Sequence, residues 1–360
     1  MNPMRGANKL KLGLFGANAD GGIALTRVPE RWRASWADVV AAARLADEAG
    51  LEFFLPIARW RGFGGETNAR EASFETLTEA AALAGLTRRI ALFATVHVPM
   101  IHPVVAAKAL ATIDHASGGR AGLNIVCGWS PEEFACFGLT MVDDRYAQGL
   151  EWFAILSRIF TETAPFDFAG RYFDLRGVFG RPAPVQHPWP FVLNAGFSDA
   201  GRDFAASAAD ALFTTFVEIK TSGAQLADMR VRAAAAGREV AVFTTCHVVC
   251  RPSQAEAEAY YEHYAVAMED TAAVDRIMAN KARFSQSHDP AAYRLHRKRF
   301  VGGAGTYPLI GTPARIAEQL IAIAEAGFAG VGLSFVNYAA ELPYFAETVL
   351  PLLSRAGLRA

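Results

Sequence analysis

The chain has 360 residues, 52% of them hydrophobic and 20% charged, with a formal net charge of -1. That is enough apolar material for one large core, and no basic field is present to attract nucleic acid or an anionic membrane. No apolar run approaches the ~18 uncharged residues of a membrane span, and the start MNPMRGANKLKLGLFG has neither a long apolar core nor a small-residue cleavage site, so a cytoplasmic protein is expected. Cys127, Cys136, Cys246 and Cys250 lack the CxxC or Cys/His spacing of a zinc site and read as reduced, buried thiols, with no metal implied.

In chain order, apolar β-like runs alternate with amphipathic helical stretches. The first strand is expected over Leu10–Gly16, with a helix over Ser35–Glu48 stopped by Gly50. A second strand over Leu51–Ala58 precedes a helix over Ser73–Leu86, and a third over Ile90–Val96 precedes a helix over Pro103–Ala116, with proline suited to its first turn. Strand four, Ala121–Val126, leads through a loop to a helix over Arg145–Phe160; Phe166–Leu175 then reads as an inserted hairpin around Ala169-Gly170. Strand five (Phe191–Ala195), a helix from Asp199, strand six (Ala211–Phe216), a helix over Gly223–Ala236, strand seven (Val240–Val249) and a helix over Ser253–Met268 continue the alternation. Residues 269–307 break it: they are polar, carry His288 and His296, and end in VGGAGTY. They read as an insertion with some helix and a candidate lid, hinged at Gly302-Gly303 and Gly305. A helix over Pro313–Ala326 capped by Gly327, strand eight over Val331–Phe335 and a last helix over Glu341–Ser354 complete the chain.

Eight βα units in one register argue for a single-domain α/β fold, a closed (β/α)8 TIM barrel over residues 1–360 with insertions after strands four and seven. Strands that are apolar with little alternation fit a sheet covered on both faces. A doubly wound open sheet is the alternative.

In such a barrel the active site lies where strands end and helices begin. After strand two stands Ala58-Arg59-Trp60-Arg61-Gly62-Phe63-Gly64-Gly65, an aromatic, cationic and glycine-rich loop suited to a flat anionic ligand, or else a surface loop. Strand three ends in Thr95 and His97, with His102-Pro103 beyond; either histidine can serve as acid or base or be structural. Asn124 ends strand four as a brace or a ligand contact, followed by Cys127 and Trp129. Downstream are Glu133 and Asp143-Asp144-Arg145-Tyr146. After strand five, Asn194-Ala195-Gly196-Phe197-Ser198 opens a helix where Ser198 or Asp199 can cap, bind phosphate, or do both. An aromatic mouth formed by Phe15, Trp60, Phe63, Trp129 and Phe197 would suit a small, flat or poorly charged substrate. Phosphate grips and a flat-ligand mouth suit a phosphate-bearing cofactor, FMN among others. No GxGxxG follows a strand, and no GxxxxGK[ST] or HExxH is present.

Taken together, RWRGFGG, KALATIDHASGGRAGLNIVCGW, DDRY and NAGFSDAG resemble the FMN-dependent monooxygenases of the bacterial-luciferase-like family, nearest the branch of the pyrimidine and dimethylsulfone monooxygenases. The resemblance runs from about residue 11 to 350. It implies that Ala58 and Arg59 contact FMN, and that Thr95 and Asn124 sit beside the flavin where oxygen reacts. It also implies that Glu133 is a flavin-site carboxylate and that Arg145, Tyr146, Gly196 and Ser198 hold the phosphate end. His102 is a candidate catalytic residue; Trp60, Phe63, Trp129 and Phe15 are candidate substrate contacts. The branch usually has threonine at the position of Cys127 and lysine at that of Arg59. The segment ETNAREAS lacks an aromatic often found there, and His102-Pro103 fits the wider family better. These departures bear on the substrate more than on the cofactor.

The implied reaction is that of a two-component monooxygenase. A separate NAD(P)H-dependent flavin reductase supplies reduced FMN, and a flavin peroxide at C4a or N5 oxygenates and cleaves a C–N, C–S or C–halogen bond. Hydrogen bonds from Thr95 and Asn124 would stabilise the reduced-oxygen species. The family also implies a homodimer or homotetramer. Three rival readings differ in cofactor use: a deazaflavin-dependent hydride-transfer enzyme on the same barrel, a non-catalytic flavin-binding protein, and an unrelated lyase or hydrolase of a phosphorylated metabolite.

Overall fold

The computed structural model describes residues 2–282 and 290–360, with side chains described outside 280–294. The strands are β1 (Lys11–Phe15), β2 (Phe53–Leu55), β3 (Ala91–His97), β4 (Ala121–Val126), the hairpin pair β5 (Phe166–Ala169) and β6 (Asp174–Val178), β7 (Phe191–Asn194), β8 (Ala211–Thr214), β9 (Ala241–Cys250), β10 (Tyr307–Gly311) and β11 (Gly330–Ser334). The helices are α1 (Trp36–Glu48), α2 (Thr76–Ala84), α3 (Pro103–Ser117), α4 (Pro131–Cys136), α5 (Arg145–Thr161), α6 (Asp199–Ala208), α7 (Gly223–Ala235), α8 (Gln254–Glu262), α9 (Thr271–Ala282), α10 (Pro290–Gly303), α11 (Pro313–Ala326), α12 (Tyr338–Thr348) and α13 (Leu350–Arg355).

Parallel pairing runs β11-β1-β2-β3-β4-β7-β8-β9, and β9 pairs back onto β11, so the sheet closes as an eight-stranded barrel rather than an open sheet. The pleat sends alternate residues to opposite faces. Phe53, Phe93, Phe191, Phe213 and Phe243 fill the interior, while Leu12, Leu14, Leu92 and Ala94 pack outward beneath the helices. Large and small residues alternate across the interior because the space is fixed. A Cβ on Gly13 would fall 2.3 Å from Phe53, and one on Gly330 2.3 Å from Phe243. The same pleat carries Thr95, His97 and Asn124 inward at the carboxyl mouth, with Thr95 opposite Asn124 in the β3–β4 register.

The helix ends follow local chemistry. The Ser35 hydroxyl accepts from the Asp38 N–H (3.2 Å), and the Thr312 hydroxyl from that of Arg315 (3.3 Å). Gly118 and Gly327 close α3 and α11 at φ 66° and 110°.

Four expectations need correction. The strand expected over Leu51–Ala58 shrinks to three residues, since Pro56 has no N–H to continue a ladder. The last helix divides into α12 and α13 around Val349, where Pro351 cannot donate. The 269–307 insertion is less polar than its composition suggests. α9 and α10 bury Ala273, Val274, Ile277, Phe300 and Val301 against Leu25, Val28 and Phe63, forming a second core. It also delivers β10, unforeseen, onto the outer half of β9, with Tyr307 opposite Cys246 and Gly311 opposite Cys250. Finally, Cys136 is exposed, whereas Cys127, Cys246 and Cys250 are buried; all four are free thiols. Close packing accounts for Gly302 and Gly303, where a Cβ would lie 2.9 and 2.7 Å from the His247 side chain. His288 lies outside the described residues.

Candidate active site

At the barrel mouth the β3 and β4 ends build one hydrogen-bonded unit. The Thr95 hydroxyl donates to the Pro56 carbonyl (2.6 Å) and accepts from Asn124 Nδ2 (3.1 Å). A hydroxyl has one proton. That proton is spent on Pro56, so Thr95 must accept from Asn124, which fixes the amide with Nδ2 toward Thr95. Asn124 Oδ1 is then buried with no donor. An unsatisfied buried acceptor costs about 1–3 kcal/mol, a debt that a ligand N–H would relieve. Thr95 therefore orients Asn124, with its own proton engaged by Pro56.

The loop after β2 forms the rim. Arg59, its side chain 6% exposed, lies with Nε 3.2 Å from Oε1 of Glu133, 1% exposed, outside hydrogen-bond alignment. Its guanidinium stacks on Phe63 (4.4 Å) and Trp129 (4.8 Å). Glu133, from α4, also accepts from the Trp60 N–H (3.0 Å). Burial lowers the affinity of Arg59 for its proton, and Glu133, Glu132 and Glu71 work against that shift. Glu133 thus braces the rim, and Phe63 and Trp129 are occupied by Arg59. Trp60, 41% exposed, meets the edge of Phe137 at 4.9 Å.

Between this loop and the β3 end opens a cleft lined by Ala58, Arg59, Trp60, Glu75, Thr95 and His97, among others. His97 is 4% exposed with Nδ1 unpartnered, and burial, aided by nearby Arg59, lowers its pKa to about 4, so the ring is neutral at ordinary pH. His102 is outside this cleft. It is exposed, its Nδ1 accepts from the Val104 N–H (3.3 Å) as the cap of α3, and its ring meets Phe173. Phe15 sits in the barrel interior with its ring 5.1 Å from Phe213, and Phe197 is 56% exposed. Cys127 is packed against α5, burial pushing its thiol up to about 12, which removes it as a nucleophile. Chain-order reading named His97 only as one histidine of two; its burial and missing partner appear once β3 is placed beside the β2 loop.

A second feature lies at the start of α6. Ser198 caps it by accepting from the Gly201 N–H (3.1 Å), and Ser198 Oγ lies 3.4 Å from Tyr146 Oη. Gly196 and Gly201 touch backbone to backbone: a Cβ on either would fall 2.7 or 2.8 Å from main-chain atoms of the other. Arg145, beginning α5, stacks at 5.1 Å on Tyr146 with a buried Nε that has no partner. Free helical N–H groups, a hydroxyl and an unpaired guanidinium together make an anion cradle.

The residues present therefore fit a phosphate-bearing flavin. The cradle has the donors an anion needs, and Asn124 Oδ1 is an acceptor without a donor. Among the described residues no group of three or more His, Cys, Asp or Glu is arranged to hold a metal, and no helix is long and apolar enough to cross a membrane.

Known proteins bear on this arrangement. The family model described as luciferase-like monooxygenase matches residues 13–330. The FMNH(2)-dependent dimethylsulfone monooxygenase of Pseudomonas putida is 29% identical over 355 residues, covering 96% of this chain and 95% of its own. Pyrimidine monooxygenase RutA of Bradyrhizobium sp. is 30% identical over 328 residues, covering 87% and 89%. Among solved structures, long-chain alkane monooxygenase (LadA) superposes with TM-score 0.87 at 20% identity over 99% of this chain and 93% of its own. Riboflavin lyase (RcaE) does so with TM-score 0.86 at 23% identity over 98% and 93%. At such identities the superpositions speak for the fold.

Proposed function

We propose, from the premise that this chain belongs to the luciferase-like monooxygenase family, that it takes reduced FMN from a separate NAD(P)H-dependent flavin reductase and uses O2 to oxygenate and cleave a small organic substrate at a C–N, C–S or C–halogen bond. The observation that carries the reading is Asn124 Oδ1, a buried acceptor left open at the barrel mouth by the Thr95–Asn124 bond. The names of the P. putida and Bradyrhizobium relatives support the cofactor and the class of reaction.

Reduced FMN would supply the electrons that activate O2. The chain's own residues would do the rest. Arg145, Tyr146, Gly196 and Ser198 hold the phosphate, and Ala58 with Arg59 borders the ring. Thr95 holds Asn124 in the one orientation that presents its acceptor. Trp60, Trp129 and Phe137 line the rim, and the Arg276–Glu132 ion pair (2.8 Å) ties α9 to α4 beside them. The protein would act in the cytoplasm as a homodimer or homotetramer.

The test is anaerobic titration of FMNH2, followed by turnover under labelled O2 against sulfones, pyrimidines, cyclic amides, alkanesulfonates and halogenated phenols. Binding of FMNH2 and a product carrying one labelled oxygen atom are expected. Asn124→Ala should keep FMNH2 affinity within about tenfold, the worth of one hydrogen bond, and lose oxygenation. No FMNH2 binding, or oxygen-independent turnover with a deazaflavin, would overturn the reading.

A further inference from the structure

The cleft beside Arg59 has spent almost all of its polar atoms. The Ser73 hydroxyl donates to the Arg59 carbonyl (3.0 Å), and that of Thr76 to the Thr95 carbonyl (2.6 Å). Thr95 is committed at both ends. Glu75 caps α2 by accepting from the Leu77 and Thr78 N–H groups (3.0 and 2.8 Å), and Glu71 accepts from the Gly62 N–H. What remains buried and unpartnered in the lining is His97 Nδ1 and, on Arg59, Nη1 and Nε, the latter beside Glu133 but out of hydrogen-bond alignment.

Two such side chains on one cleft select a ligand group. Arginine only donates, and neutral histidine donates from one ring nitrogen. Both are satisfied by an oxygen acceptor, with His97 in the tautomer that protonates Nδ1. Charge narrows the choice further. Arg59 is already countered by Glu133, with Glu132 and Glu71 acting on it as well. Three carboxylates around one guanidinium disfavour an anion, and the guanidinium disfavours a cation. His97 cannot compensate an anion by taking a proton, because its surroundings keep it neutral.

We infer that His97, together with Arg59 Nη1, binds the substrate by an uncharged oxo group, a carbonyl or sulfonyl oxygen, and so selects neutral oxo compounds over their anionic counterparts. The inference rests on the flavin-dependent reading above. It gives His97 and Arg59 Nη1 a substrate-binding role at the edge where Ala58 and Arg59 border the ring, with the flavin held by Asn124 and the α6 cradle.

The test uses the FMNH2-loaded protein under anaerobic conditions. It is titrated with two probe pairs, dimethyl sulfone against methanesulfonate and uracil against orotate. The uncharged member of at least one pair should bind, and the anionic member at least tenfold more weakly. His97→Leu should weaken the uncharged probe about five- to tenfold, the worth of one neutral hydrogen bond, with FMNH2 affinity unchanged. His97→Asn, whose amide reaches the position of Nδ1, should restore binding to within about threefold. Tighter binding of the anions, no binding of any probe, an unchanged probe affinity in His97→Leu, or a loss of FMNH2 affinity in that variant would each overturn the inference alone. Failure of FMNH2 to bind the native protein would overturn the cofactor reading and this inference with it.

Discussion

Removing the charge of Glu133 isolates one term of the rim. Its side chain is 1% exposed and stands 3.2 Å from the Nε of Arg59, itself 6% exposed. Taking one partner from a buried ion pair leaves the other charge uncompensated, at about 3–5 kcal/mol. Two features hold Glu133→Gln at the lower end. The amide oxygen still accepts from the Trp60 N–H, and the guanidinium keeps its faces on Phe63 and Trp129. About 3 kcal/mol is therefore expected, capped by the free energy of opening the α4 segment, since local opening rehydrates Arg59. Removing the charge on both sides with Arg59→Met/Glu133→Gln should return stability to within about 1 kcal/mol of native, because an uncharged buried pair no longer needs compensation. Hydrogen exchange over residues 58–63 and 131–137 reads this directly, alongside urea unfolding. Native-like protection in Glu133→Gln, or a double variant as labile as the single one, would refute the argument that a buried charge pair organises the rim.

Further outcomes follow from the same geometry. Gly201→Ala places a Cβ 2.7 Å from Tyr146 Oη and 2.8 Å from Gly196 Cα; anaerobic titration should show FMNH2 binding at least tenfold weaker, with the fold intact by circular dichroism. Because the folded chain holds His97 near a pKa of about 4, below its ordinary 6.5, the unfolded chain binds a proton first as pH falls. Stability is therefore lost progressively between pH 6.5 and 4, by about 2 kcal/mol at pH 5 from this residue. Denaturant unfolding of His97→Leu should show a correspondingly shallower loss between pH 7 and 5. Thiol titration of the native protein should find one fast cysteine, Cys136. Burial shields the other three and raises Cys127 to about 12 and Cys250 to about 11.

Much of this protein was legible along the chain. The alternation of apolar strands with amphipathic helices is local, and so are Ser35, Ser198 and Thr312 at helix starts and Gly327 after α11. From these the eight-unit barrel and the hairpin followed. Misreadings arose where a local pattern was overruled or incomplete. Leu51–Ala58 is apolar throughout, yet Pro56 ends its ladder. Tyr307–Gly311 carries no strong signal of its own and becomes a strand because β9 runs on past Thr244, where its pairing with β8 ends, and offers a free edge on that side.

Fold class and family were readable along the chain, because periodicity, caps and motifs are properties of sequence neighbours. Which polar atoms are engaged depends instead on contacts between segments far apart in the chain. Parallel register sets Thr95 against Asn124 across a separation of 29 residues. The fold likewise brings Glu133 to Arg59 from α4, and leaves Asn124 Oδ1, His97 Nδ1 and Arg59 Nη1 buried without partners. Hydrogen-bond satisfaction is a balance over groups distant in sequence, and it exists only once the barrel closes and excludes the water that would otherwise meet them.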